Sequence, residues 1–245
     1  MQMLNISVTA VNFFALFCLF GAIISRFFVF PAGVFAVQSI LKAWKLFFVI
    51  SLSLLTLSTF TLFILNSLDM GNGEFNTLYD LFFTLIIQTN FGHMMVICLL
   101  SILCAWAVLI TIKSNERFSL AYCFLFLIFL VIAFTSSSIS HAGDSGNFTL
   151  KEMVDWLHIV SAASWAGSII TVVVCCFTSF AALSKQPVLL LQLLTRLSLV
   201  SAISLLLIVC SGIYNAYWLL GSFSALATSS AGNILAIKLP AYAVD

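Results

Sequence analysis

The sequence predicts an all-α polytopic membrane protein, a helical bundle with seven visible transmembrane helices. Three observations carry that reading. The chain is 63% hydrophobic and only 7% charged, against roughly 25% charged residues in a soluble domain, so it cannot cover a water-facing surface. Several apolar stretches approach or exceed the ~20 residues that a helix needs to cross a bilayer. Those stretches are long and continuous, whereas a membrane barrel shows short segments of alternating polarity. All 245 residues read as a single transmembrane domain. The net charge of +1 argues against nucleic acid as a partner, and leaves the lipid bilayer as the surrounding medium.

The first helix is expected from about Leu4 to Ser25. It has no basic leader and no obvious small-residue cleavage site, so it reads as a retained helix and not a cleaved signal peptide. A loop with Arg26, Lys42 and Lys45 follows, and its Phe27–Ile40 part reads as interfacial. The second helix covers about Leu46–Asn66. Gly71-Asn72-Gly73 then marks a turn, and Leu78–Gln88 is apolar but too short to span, so it is expected at the interface. The third helix covers about Phe91–Ile112 and the fourth about Phe118–Ser140, with Lys113 and Arg117 between them. The polar loop His141–Lys151 ends in Thr149-Leu150-Lys151-Glu152, which has the form of a capping box for the fifth helix. That helix is expected to reach about Ala182. Lys185, Pro187 and Arg196 mark the next turn, and the sixth helix runs to about Leu220. The seventh follows Gly232, with ~13 residues or about 20 Å of helix, short of a ~30 Å hydrocarbon core. The domain is therefore expected to be incomplete at its C-terminal end, with an eighth helix beyond Asp245.

Lys and Arg set the orientation. Seven of the nine fall in the loops after the first, third and fifth helices, and the opposite loops hold only Lys151, against Asp69, Glu74, Asp80, Asp144, Glu152 and Asp155. The positive-inside rule puts the N-terminus outside, which in a bacterial inner membrane is the periplasm. An internal repeat agrees with this map. The segment Thr89–Ile97 resembles Ser229–Ile237, and Asn12 precedes Gly21 by the same nine residues that separate His158 from Gly167. The halves thus read as helices one to four and five to eight, both starting outside, so the repeat is parallel, as in some transporters.

All three histidines, His93, His141 and His158, map to this outer face, on an acidic surface that attracts cations. Imidazole is a common transition-metal ligand. His158 lies about six residues, or ~9 Å, into its helix, a depth at which an ionisable residue is a functional candidate. Asp155, three residues earlier on nearly the same face, is placed to hold one ring nitrogen and orient the other. His93 is followed by Met94 and Met95, and thioether with imidazole suits copper. His141 stands at the mouth of the bundle, and Met153 also faces outward. The candidate metal ligands are thus His158, His141, His93, Met94 and Met153. The competing structural reading is histidines hydrogen-bonded between helices and methionines as apolar filling. The seven cysteines read as small apolar packing residues. Cys175-Cys176 is the one adjacent pair, but neighbours on a helix point about 100° apart. No Ser-His-Asp set, HExxH or phosphate-binding loop is present, so the chain is not expected to be an enzyme.

Several segments together resemble the copper resistance protein D (CopD) family. Asp155-Trp156-Leu157-His158 through Trp165-Ala166-Gly167 is similar to its "LH…WxGG" helix, and Ser140-His141-Ala142 to its "GHA" element. Ser211–Ala216 is similar to its "SGxxNA" helix, and Gly232–Lys238 to its "YGrxLxxK" segment. The chain departs from the pattern at Ser140, Ser168 and Ala231, and where the family often has a basic residue it has His93. The resemblance covers roughly residues 80–245 and more loosely the N-terminal helices. It implies an eight-helix fold, transport of copper, as Cu(I) or Cu(II), across the inner membrane, and a small periplasmic CopC-like copper-binding partner. The expected function is a copper importer or conduit with an outward His/Met site. The alternative is a b-type haem electron-transfer subunit in which two of the three histidines are axial ligands.

Overall fold

The computed structural model describes residues 2–31, 33–70, 78–112, 119–140 and 148–220. Among these it is a helical bundle with six helices long and apolar enough to cross a membrane. They are α1 (Gln2–Ile24), α2 (Gln38–Met70), α4 (Asn90–Thr111), α5 (Leu120–Ile139), α6 (Leu150–Thr178) and α8 (Pro187–Leu220). The short helices are α3 (Leu78–Gln88) and α7 (Phe180–Leu183). The seventh spanning helix expected after Gly232 lies outside the described residues.

Helix α6 is central and packs on α1, α2, α5 and α8, while α4 lies to one side against α5, α3 and α2. Apolar runs specify the helices, but glycine decides where they meet. A Cβ on Gly21 would lie 2.0 Å from the Gly167 carbonyl carbon, and one on Gly167 would lie 1.8 Å from the Phe17 carbonyl oxygen. The α1 and α6 backbones therefore touch, as small residues allow in membrane helices. The two glycines that the sequence repeat pairs are thus one physical crossing point, near the middle of a fold in which α1 is followed by α2 much as α6 is followed by α8.

The bundle has two chemically distinct ends. At one, α1, α4 and α6 begin and α2, α5 and α8 finish. Asn5 Nδ2 donates to Asn66 Oδ1 at 3.3 Å there, joining the start of α1 to the end of α2. Thr89 caps α4 by accepting from Gly92 N at 3.0 Å, and α3 folds back so tightly that a Cβ on Gly92 would lie 2.0 Å from the Leu85 carbonyl oxygen. At the opposite end, Lys42 and Lys45 are exposed near the start of α2 and Lys185 is exposed just before α8.

Two helix starts and the placement of one segment differ from the sequence reading. Helix α2 begins at Gln38, not Leu46, and α8 begins at Pro187, so Arg196 lies inside a helix. Lysine and arginine do not stop a helix; they mark where it leaves the hydrocarbon, with long stems that let the charge snorkel. The segment read as interfacial, Phe27–Ile40, instead folds into the bundle. A π-helical turn, Ser25–Val29, leads into it, a 3₁₀ turn, Val34–Ala36, lies within it, and it buries Phe27, Val29, Phe30, Val34 and Ile40. Arg26, expected in that loop, is fully buried. Its guanidinium carbon sits 3.8 Å from the ring centre of Tyr122, 4.5 Å from Phe35 and 5.1 Å from Trp44. A desolvated cation–aromatic contact is worth ~2 kcal/mol or more, which makes this burial tolerable.

Candidate metal site between α5, α6 and α8

The site is built where α6 starts. Thr149 is the N-cap, and its side chain accepts from Glu152 N, as the capping box predicts. Glu152 does not close the box by bonding Thr149. Its side chain is fully buried and accepts instead from Ser138 Oγ and from Phe148 N. Phe148 has a φ of 62° and stacks on Phe134 with ring centres 5.1 Å apart. This set of contacts clamps the end of α5 to the start of α6.

Asp155 is one turn deeper. Its Oδ2 lies 2.8 Å from Ser137 Oγ and 3.2 Å from Ser140 Oγ, and its Oδ1 accepts from Asn215 Nδ2 at 3.2 Å. A single carboxylate thus joins α5, α6 and α8. The expected Asp155–His158 pair does not form. Both residues do lie on the same face of α6, but the carboxylate is taken by hydroxyl and amide donors from neighbouring helices.

His158 is half-buried, and its Nδ1 is 3.0 Å from Ser211 Oγ. A serine hydroxyl has one proton to donate. Ser211 Oγ lies 2.5 Å from the Leu207 carbonyl oxygen, so its proton goes there. With that proton donated to the Leu207 oxygen, the Ser211 oxygen can accept from Nδ1–H, in the tautomer that leaves Nε2 with its lone pair. This is the tautomer in which a histidine offers Nε2 to a metal while a neighbour fixes the ring through Nδ1. Gly212 gives the ring room, since a Cβ there would lie 3.4 Å from His158 Cε1. That is ordinary contact with a side chain, not the backbone-to-backbone approach seen at Gly167. Asn215 Oδ1 is buried without a hydrogen-bond partner, an additional oxygen donor on the same side of α8 as Ser211.

The other candidates are placed differently. His93 is exposed in the first turn of α4, while Met94 and Met95 are buried. Helix α4 does not pack substantially on α6. Met153 is 37% exposed and about 140° around α6 from His158. His141 lies outside the described residues. Among those described, no group of three or more His, Cys, Asp or Glu side chains is arranged to hold a metal ion, and nothing supports a haem between two imidazoles. The candidate site therefore consists of His158 with Ser211 at its Nδ1, and of Asp155 on the same face of α6 with Ser137, Ser140 and Asn215. Sequence reading missed Ser137 and Ser140 as partners. The run Ser136-Ser137-Ser138 at the end of an apolar helix is the signal that points to them.

The family described as copper resistance protein D-like, N-terminal domain, matches residues 1–149, more than half of the chain. The chain belongs to the CopD family. The match covers α1 to α5 and stops just before α6, so it stands independently of the motifs read around His158, Ser211 and Gly232. Searches of curated proteins and of solved structures returned no match. As a CopD-family member with six described helices able to span, the protein is a copper-resistance-related multi-pass membrane protein.

Proposed function

We propose that this CopD-family protein is a copper conduit of a bacterial inner membrane, not an enzyme, and that copper enters at the end of the bundle where α6 starts. The observation that carries the reading is the 3.0 Å contact between His158 Nδ1 and Ser211 Oγ, which makes Nε2 the ring nitrogen that a metal would take. Asp155 next to it gives the entry a negative charge, and Asn215 supplies an oxygen. The family match supports copper as the cargo. The exposed Lys42, Lys45 and Lys185 at the opposite end support a periplasmic N-terminus by the positive-inside rule. In that orientation copper would reach His158 from the periplasm, delivered by a CopC-like copper-binding protein, with His141, His93, Met94 and Met153 kept as additional ligand candidates. Both Cu(I) and Cu(II) accept imidazole.

Replacement of His158 by Ala tests this reading, because Ala preserves the helix and removes one nitrogen. Losing a metal ligand is expected to cost at least the ~10–100-fold in affinity found for second-sphere changes. Copper binding to the purified protein and copper accumulation in cells should both fall, with zinc and magnesium responses unchanged. Wild-type binding and accumulation at equal expression would overturn the assignment.

A further inference from the structure

A second polar site lies in the half of the molecule formed by α1, α2, α4 and α5. Between α1, α2, α4 and α5 is a cavity of about 330 Å³ whose lining includes Asn12, Thr59, Met95, Cys98 and Thr135. Met95 and Cys98 are one turn apart on α4, at a spacing that puts both on one face, and they are 5% and 6% exposed. The Cys98 thiol is in hydrogen-bonding reach of Thr59 and Thr135. Asn12 commits its amide nitrogen to α2, donating to Ser58 Oγ at 3.0 Å and to Thr59 Oγ1 at 2.8 Å. Its amide oxygen is left as an acceptor.

The repeat gives this cavity an independent significance. Asn12 stands nine residues before Gly21, as His158 stands nine before Gly167, and the two glycines touch. Asn12 ties α1 to hydroxyls of α2, and His158 ties α6 to a hydroxyl of α8. The two polar pairs are therefore equivalent positions of the two halves, at similar depth on either side of the crossing. Their donor chemistry differs. One half offers imidazole and oxygen; the other offers a thiol and a thioether beside an amide oxygen. Soft thiolate and thioether ligands select Cu(I), whereas Cu(II) prefers nitrogen and oxygen donors.

We propose that this cavity is a Cu(I) site in which Met95 sulfur and Cys98 sulfur are the metal ligands and Asn12 oxygen is the adjacent polar group. Binding exchanges the Cys98 S–H proton for the metal, so one proton is released per ion bound. The proposal rests on the reading of the protein as a copper carrier, and its test separates the two. The full chain in lipid nanodiscs is titrated with Cu(I) against a chromogenic competitor, and the ultraviolet thiolate-to-copper charge-transfer band is recorded. Cys98→Ser is expected to abolish the band and to remove one bound ion or weaken it at least tenfold. Met95→Leu, nearly isosteric, is expected to weaken the same ion and keep the band. Cys104→Ser, at an exposed position of α4, is the control and should match wild type. The His158→Ala protein should retain the band. Wild-type stoichiometry, affinity and band in Cys98→Ser would overturn the proposal while leaving the His158 site standing. If Cys98→Ser fails to fold, unchanged Cu(I) binding in Met95→Leu overturns it equally. Absence of any copper binding by the wild type would refute the copper reading itself.

Discussion

Replacing Gly167 by Ala adds a single methyl group at the most constrained point of the bundle. That methyl would sit 1.8 Å from the Phe17 carbonyl oxygen, 2.7 Å from the Phe17 carbonyl carbon and 2.9 Å from Gly21 Cα. All three are backbone atoms, so no side-chain rotation relieves the clash. To reach ordinary contact near 3.4 Å, α1 and α6 must separate by roughly 1.5 Å, and the dispersion contacts along the crossing are lost with it. Overpacking by one methyl group costs ~1–3 kcal/mol when side chains can adjust, and a rigid backbone contact belongs at or above the top of that range. The assay is thermal unfolding of detergent-purified protein by intrinsic fluorescence, with monodisperse yield as a second readout. Gly167→Ala should unfold several degrees lower and give less folded protein. Gly212→Ala is the internal comparison, because its methyl would meet only the edge of the His158 ring at 3.4 Å; it should fold normally. Equal unfolding temperatures for Gly167→Ala and wild type would refute the backbone-contact argument and the crossing built on it.

Glu152→Gln should destabilise the start of α6, because its two side-chain oxygens accept from Ser138 and from Phe148 N and glutamine has only one acceptor oxygen. A buried donor left facing a donor costs ~1–3 kcal/mol, readable as a lower unfolding temperature, and an unchanged one would show that the clamp contributes nothing. The orientation is tested with a membrane-impermeant maleimide on intact cells. Leu150→Cys, at the His158 end and 68% exposed, should react from outside, and Ser184→Cys at the lysine end only after permeabilisation. The reverse pattern would invert the topology.

Sequence makes the spanning helices legible because their signal is local. Apolar runs place α1, α4, α5 and α6 within a few residues, and Leu78–Gln88 is a short helix at the boundaries expected. Contacts between helices are less legible because they are set at a distance. Arg26 reads as a loop cation until Tyr122, 96 residues away, supplies one wall of its aromatic box. Asp155 reads as the partner of His158 because helix spacing puts them together, but Asn215, 60 residues on, and Ser137, 18 residues back, take the carboxylate. The polar cavity does leave a trace in the sequence. Asn5, Thr9 and Asn12 form a stripe at helical spacing along α1, and Thr59 and Asn66 lie two turns apart on α2, in helices otherwise apolar. Polar residues aligned in this way face the bundle interior and not lipid.

The pairing of Gly21 with Gly167 joins the sequence repeat to the chemistry. A repeat detected only as weak similarity predicts no contact, yet the two equivalent glycines meet each other. When equivalent residues of two halves touch, the axis relating the halves passes between them. Each half then carries its polar group nine residues from that crossing, a little over 13 Å along its own helix. A copper ion at this depth would, under the conduit reading, have imidazole and oxygen groups in one half and sulfur and oxygen groups in the other, so it need not shed its whole hydration shell into hydrocarbon. Under the conduit reading, the histidine half suits capture from water and the sulfur half suits holding Cu(I) once it is inside. The divergence of Asn12 from His158 would then be a division of labour between two copies of one geometry.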